Sequence, residues 1–387
     1  MSVSYWQDNS RQTADTAFDV VIIGAGISGA ASAYWLKDSG LRVAVVEKGD
    51  VCAGASGRNA GFITCGSVEH FSRQAATHGE EKALDLWRMS QENLTLIEEH
   101  LVADGLACDY RRAGTYSLAG SPHEMDVLRA TAGELQGHGV RVEVVDESHV
   151  QDALGARGFY GGVLYQDDGE VHPVKLVRGM LDRSGATVFP HHSVWEITSS
   201  GDGVEIKTQN RTFSAAIAIM ATNGYSAQLH PWFEGKIYPT RGQIIVTEPV
   251  APFMSAPCYC NFVLDYFRQL PDGRVLIGGF RQLGREEEKG TNDHIHPEIH
   301  QALEDFLNTH FAALEGVKIT HRWAGTMGFS QDSLPMIGSL PAQPNIYFVG
   351  GYTGHGIGWG FKAGQLLARL VLHGETPPHI SARRFRS

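Results

Sequence analysis

Hydrophobic positions along this chain switch repeatedly between the helical and the extended period. Residues 19–23, DVVII, are an apolar run too short for a helix and rich in β-branched side chains, which predicts a buried parallel strand. A helix follows over 30–37, Gly40 ends it, and 41–46 returns to a strand. Residues 80–101 place Leu84, Trp87, Leu94, Ile97 and Leu101 at helical spacing, predicting a long amphipathic helix. Strands over 116–118 and 140–145 bracket a helix over 122–136. His172-Pro173 opens a helix over 174–184, with proline in the first turn and His172 as the entry residue. Residues 186–210 read as strand, loop, strand, a Gly-Asp-Gly turn and strand, and 213–226 as an apolar strand ending in a glycine turn. Further strands are predicted at 242–247, 261–267 and 275–279, the last two joined by the Pro271-Asp272-Gly273 turn. A helix over 297–309, a strand over 345–350 and a helix over 361–373 complete the pattern.

The first strand runs into Gly24, Gly26 and Gly29 in GxGxxG spacing. Gly24 permits the tight turn, Gly26 lets a pyrophosphate approach the backbone, and Gly29 lets helix and strand pack closely. The helix N-terminus then faces phosphate. Glu47 closes the second strand 18 residues after Gly29, where a carboxylate accepts hydrogen bonds from ribose hydroxyls. Strand, turn, helix, strand and acid all agree on a dinucleotide.

Composition narrows the class. The chain has 387 residues, 42% hydrophobic, which suggests two or three domains or one large interleaved unit. Its net charge of -11 and lack of a basic stripe disfavour nucleic acid and anionic membrane as partners. No apolar run reaches the ~20 residues of a membrane span, and residues 1–15 are polar with no signal-peptide core. Five cysteines lack framework spacing. Cys258-x-Cys260 has no second ligand cluster, so buried free thiols are expected and no metal site. A cytoplasmic setting follows.

Residues 345–374 form a second strand–glycine loop–helix unit, with Gly350, Gly351, Gly354, Gly356, Gly358 and Gly360 in the loop. A helix N-terminus there would stabilise the negative charge of a reduced flavin. With the N-terminal motif stand GASGRNAGF (54–62), DDGEVHPVKLVRGML (167–181), MATNGYS (220–226), PTRGQ (239–243), DSLPMIG (332–338) and GGYTGHGIGWG (350–360). In these segments and their order the chain resembles the FAD-dependent D-amino-acid oxidase superfamily. The likeness is to its bacterial amine-oxidising branch of sarcosine, glycine and gamma-glutamylputrescine oxidases, and GASGRNAG with Ser4-Tyr5-Trp6 looks most like the last group.

The resemblance implies an α/β fold: a Rossmann-like FAD-binding domain from 1–80, 150–228 and 322–387, interleaved with a mostly antiparallel substrate domain from 81–149 and 229–321. It implies noncovalent FAD, since no cysteine lies in 321–335, no histidine in 54–66, and Cys65 does not match the family's linkage position. Cofactor contacts are implied at Gly24, Gly26, Ile27, Ser28, Gly29, Glu47 and Lys48. The loop Ala55, Ser56, Arg58, Asn59, Ala60 and Gly61 would wrap pyrophosphate and flavin edge, and Val194 would hold adenine. Ala221, Thr222, Gly224, Gly325, Gly351, Gly354, His355, Gly356 and Ile357 would complete the site. His355 and Arg58 are the catalytic candidates: His355 by donating to flavin, orienting substrate or assisting oxygen as a cation. Tyr259, Tyr266, Arg268, Met327, Tyr352 and Trp359 are the substrate candidates. Relatives that bind small amino acids carry positive side chains where this chain has Gly358 and Met327. That favours an amine, or a substrate whose carboxylate lies far from the reacting carbon, with Arg268 and Arg281 as candidates for a remote acid or as surface charge.

The implied reaction is oxidation of a C–N bond by hydride transfer to flavin N5, hydrolysis of the imine, and reoxidation by O2 to give H2O2, which needs positioning and electrostatics more than a protein base. The alternative is a flavin dehydrogenase of a 2-hydroxy acid or amine that passes electrons to a quinone or carrier. The sequence leaves the oligomeric state open.

Overall fold

The structure is a computed structural model that describes residues 16–65, 71–201, 203–262, 264–377 and 379–385. Ser4-Tyr5-Trp6 and the rest of 1–15 lie outside the described residues.

Two eight-stranded sheets organise the molecule. In the first, Ala17–Ile23 pairs in parallel with Thr212–Met220 on one side and Val43–Val46 on the other. Thr187–Phe189 extends it beyond Val43–Val46, and Gln343–Gly350 beyond Thr212–Met220, both in parallel. Val20, Val21 and Ile22 have no exposed surface, because both faces of this sheet are covered; that is why the run shows no alternation. The helices Ile27–Leu36, Pro173–Ser184 and Gly356–His373 join the core on one face. Two of them pack at unusually short range: a Cβ on Gly360 would lie 2.5 Å from Ile27, and one on Gly364 would lie 2.5 Å from Ala31. The N-termini of the first and last helices thereby converge.

The second sheet runs Ile319–Ser330, Ile237–Thr247, Val275–Gly279, Asp265–Gln269, Cys258–Cys260, Thr115–Leu118, Gly162–Tyr165, Val142–Val145. It is antiparallel except where Cys258–Cys260 meets Thr115–Leu118. One face carries Ile245, Phe267 and Ile277 against Ile299, Leu303 and Leu307 of helix Pro297–His310. The other carries Ile244, Tyr259, Tyr266 and Trp323 against Ala60 and Phe62. Alternation along each strand therefore divides a structural face from a face turned to the glycine loop. Gly162–Tyr165 and Ile319–Ser330 both pair in this second sheet, although most of their residues fall within 150–228 and 322–387.

Three elements differ from their sequence expectation. The strand expected over 261–267 begins only at Asp265. Asn261 and Phe262 take left-handed φ of 50° and 53°, Asn261 Nδ2 donates to Asp265 Oδ2 at 3.0 Å, and the Phe262 amide donates to Glu124 Oε1 at 2.7 Å. Polar closure of this turn overrides the apolar run. The helix expected over 80–101 is α-helical only through Ile97 and ends in a wider π turn over Glu98–Val102. The helix expected from Phe361 begins five residues earlier, at Gly356. Buried Asn93, from helix Glu80–Ile97, makes the earlier start possible. Its Nδ2 donates to the Ile357 carbonyl at 3.1 Å, and its Oδ1 accepts the Phe361 and Lys362 amides at 2.9 and 3.0 Å. The side chain stands in for the helix's own 357–361 bond and supports a glycine-rich first turn that propensity alone would not hold.

Candidate active site

A cavity of about 410 Å³ lies between the C-terminal ends of the parallel strands and the open face of the second sheet. Open α/β sheets bind ligands at this position.

The GxGxxG turn forms one end. Gly24 has φ 108°, and a Cβ there would lie 2.8 Å from the Ala221 carbonyl oxygen. A Cβ on Gly29 would lie 1.9 Å from the Gly24 carbonyl oxygen, so no side chain fits. No side chain of the turn itself caps helix Ile27–Leu36; Ser56, from the following loop, accepts the Ile27 amide at 2.8 Å. Its hydroxyl hydrogen stays available for an anion. Glu47 accepts the Ala25 and Gly49 amides at 2.8 and 2.9 Å, fixing the carboxylate beside the turn. Lys48 lies 3.3 Å above the Tyr225 ring, and His192, Ser193 and Val194 complete this end.

The loop 55–61 crosses the middle. Asn59 folds it, donating to the Ala55 and Ser56 carbonyls at 2.9 and 2.8 Å and accepting the Gly61 amide at 2.7 Å. Ala221, Thr222, Asn223 and Gly224 approach from the end of strand Thr212–Met220. A Cβ on Gly224 would meet the Met327 carbonyl at 2.8 Å, so this turn sits directly on strand Ile319–Ser330 and brings Gly325 and Met327 to the wall.

At the far end Tyr352, Gly354, His355, Gly356 and Ile357 line the cavity, with Gly351 just behind at φ 73°. Asn223 Oδ1 accepts the Gly351 amide at 2.9 Å, and the Tyr352 and Ser28 hydroxyls lie 2.9 Å apart. These contacts lock the two strand–loop–helix units together. His355 Nε2 lies 2.9 Å from the Thr64 carbonyl and 3.3 Å from its hydroxyl. Burial takes the imidazole down to about 4, so it is neutral at pH 7 and donates from Nε2. Burial therefore works against a cationic role near neutral pH.

The second sheet supplies the opposite wall. Tyr259, Tyr266, Gly278 and Ile244 are directly paired across four strands and share one face. A Cβ on Gly278 would lie 2.5–2.7 Å from Tyr266, so its absence lets that ring lie across the sheet. A Cβ on Gly242 would lie 3.1 Å from Met327 and 3.7 Å from the Tyr266 hydroxyl. A glycine floor with aromatic sides results.

Several candidates take other places. Arg268 does not line the cavity. It is buried, donates to the Gly61 and Val171 carbonyls at 3.3 and 3.2 Å, and pairs with Glu170 at 3.4 Å, so it braces the glycine loop from behind. Trp359 has no exposed surface and packs 5.1 Å from the far side of His355. Tyr352 reaches the cavity by its edge, but its hydroxyl is engaged by Ser28. The Arg58 guanidinium is held by the Ala53 and Ala324 carbonyls and by Asp293, at 3.0, 2.8 and 3.0 Å. It ties the loop to the second sheet. His172 is a helix-entry residue, accepting the Lys175 amide. All five cysteines are free, and no group of metal-binding side chains occurs among the described residues. Thr64, Asn93 and Gly278 are not marked by the sequence motifs, whereas Asn223 falls within the MATNGYS segment. Of those three only Asn93 carried a signal, a polar residue on the apolar face between Leu86 and Ile97.

These features describe a glycine-lined cavity at the strand ends of an α/β sheet, closed by a second sheet. The model of the FAD-dependent oxidoreductase (DAO) family matches residues 19–370, and the chain belongs to that family. Gamma-glutamylputrescine oxidoreductase of Escherichia coli K12 is 28% identical over 370 residues, covering 91% of this chain and 83% of that protein. Glycine oxidase of Geobacillus kaustophilus is 24% identical over 368 residues, covering 93% and 94%. The crystal structure of glycine oxidase from Geobacillus kaustophilus superposes with a TM-score of 0.81 at 22% identity, covering 93% and 96%, and that of L-proline dehydrogenase from P. horikoshii with 0.81 at 18%, covering 95% and 96%. The protein is an FAD-dependent oxidoreductase of amine or amino-acid type. The residues present fit FAD: backbone leaves no room for a Cβ at Gly24 or Gly29, one on Gly26 would press on the Ser56 hydroxyl at 2.8 Å, and Glu47 is fixed where a ribose would be read.

Proposed function

We propose that the protein oxidises the C–N bond of an amine or amino-acid derivative that binds as the neutral amine. The carrying observation is the charge of the cavity wall. Glu47, at the nucleotide end, is the only carboxylate among the described lining residues. Around Thr64, Tyr259, Tyr266 and His355 no carboxylate lines the cavity to pair with an ammonium, and burial holds both tyrosines well above their ordinary range, as phenols. FAD, which the glycine cradle and Glu47 would hold, would supply the two-electron oxidation of the carbon bearing the nitrogen, with O2 and two protons leaving as H2O2. The chain's own residues position and dry the substrate. The glycine floor admits it, the aromatic walls exclude water, and neutral His355 fixes Thr64 and the first turn of the last helix. The turn's amides face the cavity, where negative charge is stabilised. Five unpaired thiols support a reducing, cytoplasmic setting. Noncovalent FAD is supported by Cys65, whose amide donates to Asp168 and whose thiol burial holds in the protonated form.

The test is a turnover assay with a panel of amines, amino acids and 2-hydroxy acids that measures peroxide beside carbonyl product. Equal peroxide and product from an amine supports the oxidase. Turnover only with an artificial dye, or only with a hydroxy acid, replaces it with the dehydrogenase reading.

A further inference from the structure

The cavity wall contains one cation whose charge the protein leaves unanswered. Arg281 follows strand Val275–Gly279 and opens a short turn over Arg281–Gly284. It lines the cavity, its guanidinium stacks 4.5 Å above the Phe329 ring, and it has no hydrogen-bond acceptor or carboxylate among the described residues. The other cationic linings are occupied: Lys48 over Tyr225 at the nucleotide end, Arg58 with Asp293. Glu288, an acid within electrostatic reach, is fully buried and spent on Gln243 at 3.0 and 3.1 Å.

The backbone aims this arginine deliberately. Phe280, just before it, has a left-handed φ of 54°, a costly conformation for a bulky residue. Buried Asp265 holds it there, accepting the Phe280 amide at 2.5 Å. Tyr238, 44% exposed, has its ring centroid 5.9 Å from that of Phe329, so the Arg281–Phe329 pair lies one ring away from solvent. Burial against Phe329 and Tyr266 costs a guanidinium solvation that an anionic ligand would restore.

We propose that Arg281 binds a carboxylate at the far end of the substrate, selecting amines that carry a remote acid over plain amines. It is a specificity-determining residue, and the inference rests on the amine-oxidising reading above. A substrate would enter with its apolar stem between Tyr266 and Met327, its amine toward Thr64 and His355, and its acid left at the mouth. The planar fork suits a carboxylate, and stacking on Phe329 keeps it flat.

Two measurements on the FAD-loaded protein test this. The first is calorimetric binding of hexanoate and hexanamide, which need no turnover. Wild type should bind the carboxylate about tenfold more tightly or better, and Arg281→Gln should lose that preference. The second is kcat/KM for a homologous series of ω-amino acids and their carboxamides. Arg281→Gln should lower the value for acids by about 100-fold while changing that for amides less than about threefold, with Arg281→Lys in between. Equal losses for acids and amides, or no preference in wild type, overturn the proposal. Carboxylate discrimination without oxidation of any amine leaves the anion site standing and removes the amine-oxidising reading; oxidation of amines without discrimination does the reverse.

Discussion

The Thr64 carbonyl and His355 Nε2 lie 2.9 Å apart across 291 residues; this bond fixes the tautomer of the histidine, while burial sets its charge. Because burial lowers the folded imidazole to about 4 from its ordinary 6.5, the unfolded chain takes the proton first. The sign follows: His355 contributes nothing adverse above pH 6.5, and destabilises the fold as pH falls from 6.5 toward 4. Between pH 7.5 and 5, wild type should lose about 2 kcal/mol relative to His355→Gln, read from denaturant midpoints. A constant difference across that range would show that the folded histidine titrates normally.

Glycines of the two walls should fail differently. At Gly29 an added Cβ meets backbone at 1.9 Å, which cannot yield, so Gly29→Ala should purify without flavin colour or not fold. At Gly278 it meets the end of the Tyr266 side chain, which can move. Gly278→Ala should keep its FAD and raise KM for amines by about tenfold, as misplaced walls do in tight sites. Loss of flavin from both variants would contradict the division of labour.

Arg268 and Arg281 make a second contrast. Arg268→Met removes a buried partner of Glu170 and two carbonyls of the glycine loop, and should cost about 3 kcal/mol of stability. Arg111, 2.7 Å from Glu170, limits the loss. KM should be unchanged in any protein that remains folded. A large rise in KM at full stability would restore Arg268 to the substrate site.

Asn93→Ala should destabilise the fold by about 2 kcal/mol, since two buried hydrogen bonds and one half-buried one disappear and only one can re-form within the helix. Its first turn should also relax, so FAD should dissociate more readily in gel filtration. Unchanged FAD retention would mean that the turn does not depend on the wedge.

Much of this was legible in the sequence, for physical reasons. The GxGxxG turn and Glu47 could be read because each residue there answers a local demand: positive φ, close approach, a fixed acid. The interleaving was legible only through resemblance, since nothing in a strand such as Gly162–Tyr165 says which of two sheets it will join. Arg268 and Arg281 look alike in sequence. Strand register turns one toward Glu170 behind the glycine loop, and the left-handed Phe280 turns the other to the cavity. Trp359 failed as a wall residue because the helix begins at Gly356, which rotates position 359 into the core. Thr64 and Gly278 act through partners distant in sequence and leave no local mark.

The central claim is that neutral amines are oxidised at this cavity. Anaerobic titration of the FAD-loaded protein with amines, followed by its visible spectrum, tests it most directly. The flavin bands should bleach with an amine, more readily as pH rises and the amine deprotonates, and return on admitting air. Bands that no amine bleaches, or that only a 2-hydroxy acid bleaches, would contradict it.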